Sequence, residues 1–111
     1  MKNEVLQGLV TELKKSGEPI WKRVAMDLER PTRQRRIVNL TRINQYSKEN
    51  ETVIIPGKVL GSGTLDHKVV IAAYQFSQSA AEKITEAGSK MLTINELIKE
   101  SPKGKKIRIL G

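Results

Sequence analysis

The segment Lys68 to Phe76 (KVVIAAYQF) does most to limit what this chain can fold into. Side chains along a β-strand alternate between its two faces. Val70, Ala72, Tyr74 and Phe76 therefore fall on one face, and Val69, Ile71 and Ala73 on the other. A strand that is apolar on both faces needs cover on both, which is the situation of a sheet sandwiched between other layers. The pattern argues against a half-exposed hairpin and for an α/β arrangement.

The N-terminal third can supply part of that cover. Val5, Leu6, Leu9, Val10 and Leu13 recur at helical spacing, predicting a helix over Asn3 to Ser16 with Asn3 as N-cap and Gly17 just past its end. Glu18-Pro19 opens a second helix, its apolar side made of Ile20, Trp21, Val24, Ala25 and Leu28, and Pro31 ends it. The first 30 residues thus read as a helical hairpin. Ile37 to Ile43 reads as a short strand or extended segment, and Tyr46 to Glu51 as a polar turn. Thr52 to Ile55 is a strand closed by the turn dipeptide Pro56-Gly57, Lys58 to Leu60 is another, and Gly61-Ser62-Gly63 is a flexible loop. Ser77 to Gly88 is a helix capped by Ser77 or Ser79, and Thr93 with Glu96 makes a capping box for a short helix to about Glu100. Lys106 to Leu110 closes the chain as a strand. At 111 residues this is one domain, with N-terminal helices over 1–30, a basic segment over 31–48 and an α/β body over 52–111.

The charge is concentrated rather than spread. The chain holds 20 Lys+Arg against 12 Asp+Glu, a net charge of +8. The windows Pro31 to Lys48 and Ser101 to Gly111 carry nine of the basic residues and no acid, while the other 82 residues net −1. Such clustering is the electrostatic footprint of a polyanionic partner. Cys is absent, which excludes a disulfide framework, a thiolate zinc site and a cysteine nucleophile. No apolar run approaches a membrane span and the N-terminus has no signal-peptide core, so the expected location is the cytoplasm.

Signs of catalysis are weak. Asp66 beside the lone His67 has the chemistry of a ring-orienting carboxylate, but reads as a polar turn before a strand. One His cannot build a His-based metal site, and no carboxylate pair stands out. The text from Gly57 to Thr64 matches neither a P-loop nor a dinucleotide-binding fingerprint. The expectation is a non-enzyme with no metal, cofactor, small-molecule substrate or membrane partner, and no homo-oligomer.

Nucleic-acid chemistry is better represented. Arg33, Gln34, Arg35 and Arg36 form an arm whose spacing suits an extended backbone tracking phosphates, since Arg contacts phosphate bidentately. Arg42, with Asn39 and Asn44, adds groups that can read bases or sugars, and Lys48 ends the first window. Gly57, Lys58, Gly61, Ser62 and Gly63 make glycine turns that let a backbone approach phosphate closely, with Lys68 beyond them. Lys103, Lys105, Lys106 and Arg108 form the second patch. Tyr74 and Phe76 have the two-apart spacing of base-stacking sheets, yet core packing is the better reading for them. With four aromatics in all, a stacking platform is disfavoured, and recognition by phosphate, sugar and shape is expected.

The run Val53 to Leu65 (VIIPGKVLGSGTL), with Lys68 to Ala73 and Phe76-Ser77, resembles the large-subunit ribosomal protein family that groups the archaeal and eukaryotic eighteen-e proteins with protein fifteen. Trp21 to Ala25, the Arg-rich loop, Val38 to Ile43 and Leu92 to Leu97 support the likeness, which spans essentially the whole chain. The resemblance implies a short irregular β-β-α superhelix after N-terminal helices, of archaeal length. It also implies a structural role in the large ribosomal subunit, with large-subunit rRNA and neighbouring ribosomal proteins as partners. The Arg33 to Arg36 loop, Arg42 and the turns at Gly57-Lys58 and Gly61 to Gly63 match family positions. The competing reading is a free-standing nucleic-acid-binding regulator or chromatin-type protein.

Overall fold

The computed structural model describes residues 4–30, 36–101, 103–104 and 106–110. In chain order the elements are α1 (Glu4–Lys15), α2 (Pro19–Leu28), β1 (Arg36–Asn39), α3 (Leu40–Tyr46), β2 (Thr52–Leu60), β3 (Val70–Phe76), α4 (Gln78–Glu86), β4 (Lys90–Thr93), α5 (Ile94–Glu100) and β5 (Ile107–Ile109). The fold is α/β with an N-terminal helix pair, as expected. The strands form one sheet in the order β1-β2-β3-β4, with β5 also paired to β2, and these pairings are all parallel.

The doubly apolar strand is covered on both sides. Ile54, Ala72 and Leu92 face a core built with Leu9, Val10 and Leu13 of α1, Trp21, Val24 and Leu28 of α2, and Leu97 and Ile98 of α5. Val53, Ile55, Ile71 and Ala73 face a second core with Leu40 and Ile43 of α3 and Ala80 and Ile84 of α4. The result is three layers, helix–sheet–helix. Hydrophobic burial drives both interfaces, since each fully enclosed Leu, Ile or Val contributes roughly 1.5–3 kcal/mol.

Three strands run straight into helices, each through a capping residue. The Asn39 side chain accepts from the Arg42 N–H at 3.0 Å, and the Ser77 hydroxyl accepts from the Ala80 N–H at 3.1 Å. The capping box at Thr93 is complete: its hydroxyl accepts from the Glu96 N–H, and the Glu96 carboxylate accepts from the Thr93 N–H. Because parallel strands share direction, the starts of α3, α4 and α5 gather at the carboxyl end of the sheet. Their ends gather at the amino end.

Four expectations are corrected. Pro56-Gly57 is not a turn but part of one continuous strand, β2, with a register shift between Ile55 and Lys58. Pro56 lacks an N–H to pair, which an irregular position tolerates. Gly57 is demanded by close approach, because a Cβ there would fall onto the Arg36 carbonyl of β1. The same shift sets two residues of β2 against Tyr74 alone, so the alternation of β3 breaks there. Tyr74 packs into the first core and Phe76 into the second; they do not share a face. Third, Leu40 to Ile43 is helix rather than strand, because Asn39 caps it and turns the chain. Fourth, Lys90–Thr93 forms a strand that the sequence pattern did not suggest. The proposed Asn3 cap lies outside the described residues.

Candidate nucleic-acid interface

The candidate residues divide between the two ends of the sheet. At the carboxyl end, Lys58 stands exposed on β2, in register with Ile37 of β1 and Gln75 of β3, both also exposed. The loop Gly61-Ser62-Gly63 lies beside them and is held firmly. The Lys83 ammonium of α4 donates to the Gly61 carbonyl at 2.7 Å and to the Gly63 carbonyl at 3.0 Å, and the Thr41 N–H donates to the Ser62 carbonyl at 3.2 Å. Gly61 is buried against Ser79 and Ala80, where a Cβ would collide. Gly57 and Gly61 are therefore packing glycines, and Ser62 is the exposed member of the loop.

Along α3, Asn39 and Asn44 already have work. The Asn39 oxygen caps the helix, and the Asn44 oxygen accepts from the Asp66 N–H at 3.0 Å. Arg42 is exposed, its guanidinium lying over the Tyr46 ring at 5.3 Å from the centroid. Sequence reasoning missed Tyr46. The signal was the i, i+4 spacing from Arg42, invisible while this stretch was read as extended.

At the amino end, an open groove of about 820 Å³ is lined by Lys48, Glu49, Asn50, Glu51, Thr52, Lys106, Ile107 and Arg108. Here the two basic windows meet. Thr52 of β2 pairs with Ile107 of β5, which brings Lys106 and Arg108 beside the turn that holds Lys48. Asn50 and Lys106 both take left-handed backbone, at φ 64° and 59°. Arg108 forks onto Glu51, Nε to Oε1 at 2.9 Å and an Nη to Oε2 at 3.1 Å. That fork holds the Glu51 carboxyl below its ordinary pKa and raises that of Arg108. The Asn50 N–H donates to the Lys68 carbonyl at 2.6 Å, fixing the exposed Lys68 at the same end. Lys103 and Lys106 are exposed.

Arg36 points inward. Its Nε lies 3.4 Å from a carboxylate oxygen of Asp27, whose side chain is only 7% exposed on α2. The pair ties the start of β1 to the helix layer. Arg33, Gln34, Arg35 and Lys105 lie outside the described residues.

His67 is more organised than a plain turn. Its Nε2 lies 2.9 Å from the Ser47 hydroxyl and its Nδ1 2.8 Å from Asp66 Oδ1, the order of a nucleophile relay. However, Ser47 is buried at the end of α3 and its hydroxyl donates to the Ile43 carbonyl. The His67 hydrogen bond, and then Asn44, hold the Asp66 carboxyl below its usual pKa. The arrangement latches the end of α3 to the segment before β3. Among the described residues no cluster of metal-ligating side chains forms, and no helix is long and apolar enough to cross a membrane.

The family described as ribosomal protein 60S L18 and 50S L18e matches residues 10–111. The chain belongs to this family. It is similar to the large ribosomal subunit protein eL18 of Methanothermobacter thermautotrophicus, 48% identical over 96% of this chain and 88% of that protein. It is likewise similar to the eL18 proteins of Sulfolobus acidocaldarius, 46% identical over 97% of this chain and 93% of that protein, and of Sulfurisphaera tokodaii, 43% identical over 97% and 92%. The resemblance read from VIIPGKVLGSGTL and its flanks is thus the right one.

Proposed function

We propose that this large-subunit ribosomal protein, a component of the cytoplasmic ribosome, works by holding rRNA with cations at both ends of its sheet. The carrying observation is convergence. Lys48, Lys106 and Arg108 come from two basic windows far apart in sequence, yet line one groove. Phosphate contacts there and at Lys58 and Ser62 release counterions and give affinity with little sequence preference. Arg33 and Arg35, which precede Arg36 in the sequence, add further cations to the contact. The buried, committed hydroxyl of Ser47 favours a structural role over a catalytic one, and the chain acts as a single unit from helix pair to β5.

The test is the salt dependence of binding to isolated large-subunit rRNA. Replacing Lys48, Lys58 and Lys106 together by Ala should reduce the slope of log K against log salt by about 2–3, at roughly 0.7–0.9 per lost contact. An unchanged slope with an intact fold refutes the assignment.

A further inference from the structure

We infer that the Arg42–Tyr46 pair on α3 is a stacking site for one unpaired nucleobase, an inference that rests on the RNA-binding reading above. The chain has four aromatic residues. Trp21 is fully buried, and Tyr74 and Phe76 are partly buried against the two cores. Tyr46 alone is strongly exposed, at 54%. A single exposed aromatic means little by itself, but this one is prepared. Arg42, one turn earlier, lies over the ring. A cation over an aromatic face at an exposed site contributes about 0.5–1 kcal/mol and restrains the ring, which reduces the ordering cost of a ligand that stacks on it.

The surroundings suit a nucleotide rather than another planar ligand. From Arg36 to Lys48 the chain has no acidic residue. Arg42 and Lys48 are both exposed and flank Tyr46 along the chain, which keeps the local charge positive, as the phosphates flanking a base require. Gln45, next to Tyr46, exposes an amide able to pair with a base edge. The nearby carboxylate of Asp66 is engaged by His67. Only an unpaired base presents a free π face, since in a duplex both faces are covered by neighbours. The pair therefore selects a loop, bulge or end, adding a local reading of RNA structure to the phosphate contacts.

The experiment compares binding of the full chain to a short RNA stem–loop and to a fully paired duplex of the same length. Tyr46→Ala should weaken stem–loop binding roughly 5- to 150-fold, leave duplex binding unchanged and leave the salt slope unchanged, because no phosphate contact is lost. Tyr46→Phe, which keeps the ring, should bind like wild type. A Tyr46→Ala protein that binds the stem–loop as wild type does, or that loses equally on both probes, overturns the stacking site while the phosphate contacts stand. Wild-type protein that binds neither probe overturns the RNA-binding reading itself.

Discussion

Trp21 sits in only one of the two cores, so it can report on damage done in the other. Trp21 and Ile84 are both fully buried, on opposite faces of the sheet. Ile84→Ala forfeits about 2.4 kcal/mol of transfer free energy, at about 0.8 kcal/mol per carbon removed. The cavity raises the cost to about 3–4 kcal/mol. With a urea slope of about 1.5 kcal/mol/M for a domain of this size, the midpoint should fall by about 2 M. If the sheet joins the layers into one cooperative unit, Trp21 fluorescence and far-UV circular dichroism should move together by that amount. The result that refutes this reasoning is a Trp21 transition left at the wild-type midpoint while the dichroism shifts. The two helical layers would then unfold independently, and the sheet would not be the common element that both cores require.

Two further outcomes follow from local geometry. Thr93→Ala removes the hydroxyl that accepts from the Glu96 N–H in the capping box at α5, while the bond from the residue-93 backbone N–H to the Glu96 carboxylate can persist, and should cost about 1 kcal/mol, seen as a melting temperature lower by about 4 °C; an unchanged melting curve would show that packing alone sets this helix. The Glu51 carboxyl is held below its ordinary value of 4.5, chiefly by the hydrogen bonds from Arg108. A carboxyl whose pKa is lower folded than unfolded contributes stability that is full above the unfolded value and lost as pH falls through the folded one. Wild-type protein should therefore lose stability more steeply than Arg108→Gln below about pH 4.5, and equal acid slopes would dismiss the fork.

Much of the fold was legible because it is written in local chemistry. Strand β3 declared its two covered faces, Pro19 opened α2, Ser77 and Thr93 capped their helices, and Gly17 and Gly88 take the positive φ expected just past a helix end. The failures share a cause. Pro56-Gly57 has the composition of a turn, but tertiary pairing with β1 and β3 absorbs it as an irregularity in β2. Leu40 to Ile43 has strand-like residues, and one hydrogen bond from the Arg42 N–H to the Asn39 side chain decides otherwise. The site was legible as charge but not as geometry. Sequence spacing gives no means of seeing that Arg36 faces a buried Asp27, or that Lys48 and Lys106 share a groove, because strand order decides both.

The divided edge of β2 has a consequence in time. Its carboxyl half is paired by β1, made earlier in synthesis, but its amino half waits for β5, which follows every other strand of the sheet in the chain. Until then Thr52 to Ile54 present a bare apolar edge, the kind that templates association with other chains. The residue that closes this edge beside Val53 is Arg108, which also completes the basic groove. A chain cut short before β5 lacks the strand that seals this edge and, on the proposed reading, the Arg108 cation of the rRNA-holding groove. On that reading, sealing the sheet and completing the groove are one event, and a copy without β5 exposes an edge prone to association while its groove stays incomplete.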